Sequence, residues 1–444
     1  MTTKEELLEK AKKPAMDAML AHPFYHGKVQ IAPKVPVRDV SDFSIWYTPG
    51  VAAPCRDIAA NPEKSWEHTN RGNTIAVISD GTRVLGLGDI GPEAGMPVME
   101  GKALIFKYLG GVDAVPICLD TKDADLFIQT VKLLQPSFGG INLEDIAKPK
   151  CFRILDTLRA EMDIPVWHDD QQGTASVTLA GLINALKVVG KSLDNVSIAM
   201  IGAGAANVAI LRLLLAAGAD PERAMMVDTK GILTSDRTGF APDDPRAEFA
   251  RITNGENRRG GIAEALAGTD VCIALSRPGP DTIQAEWLKG MNEDAILFAC
   301  ANPIPEIWPW EAKEAGVRVV ATGRSDFPNQ VNNSLGFPGI FRGVLDVRAR
   351  TISDEMAIAA AYEIAACAAE KGLSEEYIMP TMDEWEVFPR EAVATALKAQ
   401  EQGLARLTKT REALYQEAKA KITQARAMLE AMVNADLIAG MPVD

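Results

Sequence analysis

Residues 196–207 read VSIAMIGAGAAN, an apolar run that ends in a glycine-rich turn and leads into a helical segment. This order of strand, glycine turn and helix is typical of a dinucleotide-binding fold. Gly202 would permit the tight turn, and Gly204 would let backbone N–H groups approach a pyrophosphate at the positive end of the helix. Asn207 stands where glycine or alanine normally allows close packing of the helix on the sheet. The motif is a weak signal alone, because a glycine turn can also simply join a strand to a helix.

A second signal is the acid at the end of the next predicted strand. Asp228 follows the apolar run 224–227, where a carboxylate accepts hydrogen bonds from an adenosine ribose. A carboxylate at this position favours NAD, since it would repel the 2′-phosphate of NADP. Lys230 and Arg237 are close in sequence and weaken that preference, so NADP stays possible.

Strand-like runs alternate with helical stretches along most of the chain, which predicts an α/β fold with a doubly wound, mostly parallel sheet. The predicted strands are 74–79, 83–87 and 114–119, then, in an alternation that begins near Ile164, 196–201, 224–227, 271–275, 295–299 and 318–321. Helices are predicted near 4–20, 98–109 and 123–134. After an N-cap at Ser353 the chain is predicted to be nearly all helix, apart from a proline-containing stretch around 379–389.

The length of 444 residues indicates two to three domains of about 150 residues each. We expect an N-terminal α/β domain for substrate and metal over residues 1–164 and a Rossmann-like NAD(P)-binding domain over 165–350. Residues 351–444 are expected to form a helical region that packs on these domains or on a partner subunit. The long, charged and amphipathic character of its last part is typical of such a packing element.

The composition is that of a soluble globular protein, with 47% hydrophobic and 24% charged residues. A net charge of -14 does not favour binding to nucleic acid or to an anionic membrane surface. The charged N-terminus is unlike a secretory signal and no segment has the apolar length of a membrane span, so a cytoplasmic location is expected. The six scattered cysteines favour reduced thiols over a zinc site or disulfides.

Two acidic doublets lie near the ends of apolar runs. They are Glu144-Asp145 in GGINLEDI and Asp169-Asp170 in HDDQQGTA. Carboxylates in such a setting suit an oxygen-ligated divalent cation, Mg²⁺ or Mn²⁺. Because successive side chains of an extended segment point to opposite sides, one of Asp169 and Asp170 would ligate the ion and the other would support it. Either doublet could instead be a set of helix N-terminal charges that favours the helix dipole.

Three further side chains are of types that suit a polar active site. Lys102 begins an apolar helix, and a lysine there could serve as a base once buried. Arg83 lies in a glycine-rich stretch and presents a fork that suits a carboxylate. Tyr47 lies in WYTPGV. Taken singly, a lysine or arginine in such a place is more often a surface charge than a site residue, and Tyr47 alone is more typical of a half-buried core tyrosine.

From about residue 20 to 345 the chain resembles the malic enzymes, specifically the short bacterial and archaeal form. The matching stretches, in family order, are YTPGV, SDGTRVLGLGDIGPEAGMPVMEGKALIFK, PICLDTKD, INLEDI, HDDQQGTA, IGAGAAN, ACANPIPE and NNSLGFPGIFRG. The resemblance implies a metal-dependent oxidoreductase that decarboxylates (S)-malate to pyruvate and CO2 while reducing NAD(P)⁺. Gln172, where histidine is common in bacterial relatives, and Asn207 depart from the family pattern without removing a catalytic group.

The resemblance also implies roles for individual residues. Lys102 is the general base, with a pKa expected to be lowered by burial and a nearby cation, and Tyr47 is the general acid. The implied metal ligands are Glu144, Asp145 and Asp170, with Asp169 as the supporting acid. The implied malate contacts are Arg83, Asn302 and Asn333. The expected cofactor-binding residues are Gly202, Gly204, Ala205, Ala206, Asn207, Asp228, Ser276 and Asn302.

Family members are often dimers or tetramers in which the N-terminal segment contacts a neighbouring subunit, so a homo-oligomer is expected. Two other functions are considered. A malolactic-type enzyme would retain NAD and convert malate to lactate, and net production of NAD(P)H would exclude it. A non-catalytic nucleotide-sensing protein is disfavoured because Tyr47, Lys102 and all the acidic residues are present.

Overall fold

A computed structural model describes residues 4–241 and 244–442, and it contains two β-sheets. The N-terminal sheet has four parallel strands in the order β2-β1-β3-β4. These strands are β1 (Thr74–Ser79), β2 (Asp113–Cys118), β3 (Gly140–Leu143) and β4 (Val166–His168). The helices of this half are α1 (Lys4–Tyr25), α2 (Phe43–Trp46), α3 (Ala52–Ala60), α4 (Ser65–His68), α5 (Pro92–Gly110), α6 (Ala124–Leu134) and α7 (Lys150–Glu161).

The second sheet has six strands in the order β10-β9-β8-β5-β6-β7, parallel except for β7. These strands are β5 (Ile198–Ile201), β6 (Ala224–Asp228), β7 (Gly231–Ile232), β8 (Val271–Ala274), β9 (Ile296–Ala299) and β10 (Val319–Thr322). Its helices are α8 (Thr174–Val189), α9 (Ala205–Ala216), α10 (Pro245–Ile252), α11 (Ile262–Leu266), α12 (Ala285–Leu288) and α13 (Pro309–Glu314). The predicted fold class, α/β with a doubly wound, mostly parallel sheet, is confirmed.

Four helices follow the second sheet and pack on helices of both halves. They are α14 (Phe337–Asp346), α15 (Asp354–Lys371), α16 (Val387–Glu401) and α17 (Arg411–Asn434). Helix α15 packs on α8, whereas α14 and α17 pack on α5. Ser353 is the N-cap of α15, as predicted, because its hydroxyl accepts the N–H of Met356 at 3.1 Å. The C-terminal helices therefore connect the layers around the two sheets.

The predicted strand 83–87 is wrong. Leu85 and Gly88 have φ of +48° and +80°, which turn the chain back, and only an isolated bridge joins Val84 to Gly88. The Arg83 N–H donates to the carbonyl of Asp145 at 3.0 Å, so this segment is a glycine-rich loop that lies against the end of β3. Glycine tolerates such a conformation, and its abundance here signals a loop more than a strand.

The prediction missed β3 and started the second alternation one strand early. β4 pairs with β3, so the N-terminal sheet extends past residue 164. The domain division at residues 164 and 350 stays a prediction. The other predicted strands match to within two residues, and apart from the partly exposed β2 they are apolar runs buried in their sheets.

All six cysteines are free thiols in the structure, with four of them buried and Cys55 exposed. Within residues 4–241 and 244–442, no helix combines the length and the apolar character that crossing a membrane requires. The cytoplasmic location stays a prediction.

Candidate active site

Lys102 is at the centre of the candidate site, where α5 brings it to the carboxyl ends of β3 and β4. Its Nζ lies 2.6 Å from Asp169 Oδ2 and 3.1 Å from Glu144 Oε1. The ring of Phe337, the first residue of α14, lies 4.4 Å from the same nitrogen. Lys102 is 8% exposed and Asp169 is fully buried. One ammonium group therefore compensates two buried carboxylates, whose burial would otherwise be very costly.

The electrostatics of this cluster differ from the sequence-based expectation. Burial lowers the pKa of Lys102, but the charges of Asp169 and Glu144 outweigh burial and hold that pKa above its ordinary value. Burial raises the pKa of Glu144 well above its usual range, although the charge of Lys102 opposes this. Two acids beside the amine thus shift its pKa in the direction opposite to the one expected with a bound cation, and the lowering expected beside a dication stays a prediction.

The second acidic doublet lies on one turn of π-helix, Asp169–Gly173, between β4 and α8. The extended conformation assumed for it is therefore wrong, and such π turns often mark functional sites. The two acids still face different surroundings. Asp169 accepts hydrogen bonds from Lys102 and from the Trp167 indole at 3.2 Å. Asp170 is partly exposed, and its Oδ2 accepts the N–H of Asp145 at 2.8 Å.

The three carboxylates predicted as metal ligands are neighbours, although no group of three His, Cys, Asp or Glu in the described ranges is arranged as a metal centre. Asp145 Oδ2 is buried and has no hydrogen-bond partner there. Burial and the charge of Asp170 raise the pKa of Asp145 to about 7. Hard divalent cations prefer carboxylate oxygens, and a dication would neutralise this repulsion. Glu144, Asp145 and Asp170 thus fit Mg²⁺ or Mn²⁺ in their chemistry, and their metal role stays a prediction.

The three predicted malate contacts come from segments that meet this cluster. Arg83 is exposed and lies beside Asp145 through the backbone hydrogen bond already described. Asn302 is exposed, and its carbonyl oxygen would lie 3.4 Å from a Cβ placed on Gly86, in the loop that carries Arg83. Asn333 is half-buried and packs against Gly173 of the π turn. The two halves of the chain therefore meet around the acidic residues.

Tyr47 does not join the cluster. Its side chain is 71% exposed and makes no hydrogen bond within the described part of the chain. Phe43, Ile45 and Trp46, in and beside the short helix α2, are also exposed. The structure of one chain therefore leaves Tyr47 on an exposed apolar surface.

The glycine turn between β5 and α9 has the form that dinucleotide binding needs. Gly202 has a φ of +104°, which favours glycine, and its N–H donates to Val227 O at 2.9 Å. Gly204 is the N-cap of α9, and a Cβ added to it would meet no atom within 4 Å. Ala205 and Ala206 form the first turn of that helix. Open space thus lies at a helix N-terminus, where a pyrophosphate binds favourably.

Asn207 is a structural part of this turn. Its Nδ2 donates to the carbonyls of Ile201 and Gly202, both at 2.9 Å, and the residue is fully buried. The departure from the sequence pattern is therefore explained by a side chain that holds the turn in place.

The loops that follow β8 and β9 are joined by an acid that sequence reasoning missed. Glu306 is fully buried, and it accepts the N–H groups of Ser276 at 2.7 Å and Ala301 at 3.0 Å. Burial raises the pKa of Glu306 to about 7, although these hydrogen bonds oppose it. Ser276 and Asn302, both predicted to contact the cofactor, therefore lie on loops that share one buried carboxylate. The signal for Glu306 was its place at the end of ACANPIPE, four residues after Asn302.

A glycine turn for a pyrophosphate, an acid at the ribose position and a buried lysine among carboxylates define a dinucleotide-dependent oxidoreductase. Residues 26–159 match the family model of the malic enzyme N-terminal domain, and residues 171–400 match that of the malic enzyme NAD binding domain. The chain belongs to the malic enzyme family.

Individual relatives agree with this assignment. The NAD-dependent malic enzyme of Geobacillus stearothermophilus is 52% identical over 380 residues, which are 86% of this chain and 78% of that protein. The bifunctional malic/malolactic enzyme of Bacillus subtilis is 50% identical over 392 residues, 88% of this chain and 94% of that protein. The crystal structure of the Entamoeba histolytica malic enzyme has a TM-score of 0.94 at 48% identity, covering 98% of this chain and 91% of that one. The predicted family and enzyme class, an NAD(P)-dependent oxidoreductase acting on malate, are confirmed.

Proposed function

We propose that Lys102 and the acids around it carry out the family's reaction, oxidation of malate at C2 and release of CO2 to give pyruvate, with NAD⁺ or NADP⁺ as oxidant. The observation that supports this most is the contact of Lys102 Nζ with Asp169 and Glu144, at 2.6 and 3.1 Å. This cluster lies where the carboxyl ends of the N-terminal strands meet the loop of Asn302. Ligands of parallel α/β sheets bind at that edge.

Lys102 is the proposed acceptor of the proton from the C2 hydroxyl of malate. Its hydrogen bond to Asp169 and its ion pair with Glu144 place the amine beside two carboxylates. The ammonium can therefore pass one proton to an acid before the neutral amine accepts the proton of the malate hydroxyl. Phe337 covers one side of the nitrogen and excludes water from it. Asp169, fully buried, holds the amine in position through its 2.6 Å hydrogen bond.

Malate and the two bound groups are assigned to the residues around this lysine. Arg83 would bind a malate carboxylate through its fork, and Asn302 and Asn333 would donate to the remaining oxygens. Glu144, Asp145 and Asp170 would hold a Mg²⁺ or Mn²⁺, which would supply Lewis acidity. Gly202, Gly204 and Asp228 would hold the dinucleotide, which would supply the hydride acceptor.

An assay of the purified chain with malate, Mn²⁺ and either nucleotide tests the reaction. We expect NAD(P)H, followed by its absorbance, and pyruvate in equal amounts. Because a relative at 50% identity is named a bifunctional malic/malolactic enzyme, lactate is measured in the same samples. Lactate without net NAD(P)H would favour the malolactic alternative, and the absence of both pyruvate and lactate would contradict the proposed function.

Tyr47 is the proposed general acid that protonates C3 of enolpyruvate, and we propose that it acts in the site of a neighbouring subunit. The exposed apolar side chains around it are a surface that association would cover, and they are Val40, Phe43, Ile45 and Trp46, exposed by 82, 51, 58 and 44%. Such a patch is typical of an interface between subunits. This assignment accounts for the exposure of Tyr47 in one chain and supports the expected homo-oligomer.

Co-expression of two inactive variants tests the exchange of Tyr47 between subunits. Tyr47→Phe and Lys102→Ala are each expected to be inactive alone. In a hybrid dimer one site carries both substitutions and the other carries neither, so random pairing should restore about a quarter of wild-type activity. Tyr47 acting within its own subunit would leave the co-expressed sample inactive, and a monomeric mass by light scattering would contradict the proposed assembly.

A further inference from the structure

Asp228, the acid expected to bind the ribose, is already paired with arginine side chains. Arg237 Nη2 lies 2.7 Å from each carboxylate oxygen of Asp228, and Arg246 Nη1 lies 3.6 Å from one of them. The backbone N–H of Lys230 donates to the same carboxylate at 2.8 Å. The Asp228 side chain is only 8% exposed. Its oxygens are therefore less free to accept ribose hydroxyl groups than the sequence suggested.

The charges at this position are balanced. Arg246 also pairs with Asp244, at 2.5 Å between Nη2 and Oδ2, and its guanidinium lies 5.8 Å from the Phe240 ring. The two acids and two guanidinium groups of Asp228, Asp244, Arg237 and Arg246 carry no net charge. A lone carboxylate would repel a 2′-phosphate, but this balanced set does not, and each guanidinium offers several donors in a fork.

A third cation comes from the N-terminal half of the chain. Lys148 is exposed, and its Nζ donates to the carbonyl of Ala203, in the glycine turn, at 3.4 Å. Burial raises the pKa of Asp244, but the hydrogen bonds and charge of Arg246 and the charge of Lys148 outweigh it and lower that pKa. Lys148 therefore contacts the glycine turn and is near enough to Asp244, the partner of Arg246, to affect its charge.

We propose that Arg237 and Arg246, with Lys148 beside them, form a subsite for the 2′-phosphate, so that this chain binds NADP at least as tightly as NAD. Arg237 is the proposed specificity-determining residue. It forms hydrogen bonds with the Asp228 carboxylate and so holds a guanidinium group at the position expected for the ribose. The inference rests on the proposed use of a dinucleotide. It also reverses the modest preference for NAD that Asp228 alone indicated.

Titration of the full chain with each nucleotide, without malate or metal, tests the subsite. Intrinsic tryptophan fluorescence or calorimetry should give a Kd for NADP equal to or below that for NAD. Arg237→Gln should raise the Kd for NADP at least about tenfold, the loss expected for one charge-assisted hydrogen bond, and should change that for NAD less than about threefold. Arg246→Gln, which changes a more exposed side chain, should also raise the Kd for NADP.

Arg223→Gln is the matched control, since Arg223 is exposed at the opposite end of β6, and its Kd values should equal those of the wild type. A wild-type Kd for NAD measurably below the Kd for NADP would overturn the inference. An equal rise in the Kd for NAD and the Kd for NADP in Arg237→Gln would also overturn the inference. Tight binding of both nucleotides without any malate oxidation would contradict the proposed function but would support the subsite, and no binding of either would contradict both.

Discussion

Replacing Lys102 by alanine is expected to lower kcat for malate oxidation about a thousandfold, because the proposed proton acceptor is lost. The Kd for the dinucleotide should change less than about twofold, since the glycine turn is formed by other residues. Steady-state kinetics and a fluorescence titration measure the two quantities. Unchanged turnover would show that another group accepts the proton.

A second substitution separates lost chemistry from lost folding. Lys102→Ala leaves the buried Asp169 and Glu144 without their counter-ion, which costs about 3–5 kcal/mol when one partner of a buried pair is removed. Lys102→Arg keeps the positive charge beside both acids but does not release a proton at neutral pH, so it should fold and be equally inactive. Lys107→Ala, on the same helix at a partly exposed pair with Asp113, should retain activity to within about twofold. Wild-type turnover in Lys102→Arg would contradict the assigned role.

Asp170→Asn is expected to weaken Mn²⁺ binding by at least about tenfold and to reduce turnover with it. The substitution removes one negative charge but keeps an oxygen that can accept the Asp145 N–H, so the local turn should persist. Calorimetric titration with Mn²⁺ measures the affinity. The dinucleotide Kd, which should stay at the wild-type value, shows that the fold is retained.

Asp156→Asn is the matched control for the metal prediction, because Asp156 is an exposed carboxylate on α7 without a hydrogen-bond partner in the described ranges. Its Mn²⁺ affinity should equal that of the wild type. Metal binding that is weakened equally in both variants would indicate a general charge effect. An unchanged affinity in Asp170→Asn would move the metal site away from the two doublets.

The sheets could be predicted because their strands are short apolar runs separated by turn residues. Residues 74–79 match β1 at both ends, and the strands of the second sheet except β7 were found to within two residues. Such runs are read correctly because both faces of a parallel strand are buried. Residues 83–87 were predicted as a strand because Val84, Leu85 and Leu87 resemble one, whereas the backbone at Leu85 and Gly88 is left-handed and turns the chain back.

The site was harder to predict, because its parts are far apart in the sequence. Local patterns identified Glu144 and Asp169 as unusual, but they could not show that both contact Lys102. That association came from the family resemblance and from the way parallel strands end at one edge. The raised pKa of Lys102 depends on which acids surround it, and the exposure of Tyr47 depends on tertiary packing. Neither the pKa of Lys102 nor the exposure of Tyr47 can be inferred from a local sequence pattern.

Asn207 has a consequence for engineering by consensus. Asn207→Ala would leave the Gly202 carbonyl without its only hydrogen-bond donor in the described ranges. The glycine turn would then lose the two hydrogen bonds that hold its conformation. A sequence motif that requires glycine or alanine at the position of Asn207 would also miss chains in which an asparagine holds the turn. The Asn207 amide therefore fixes the turn by hydrogen bonds, where a small residue would instead allow close packing of the helix on the sheet.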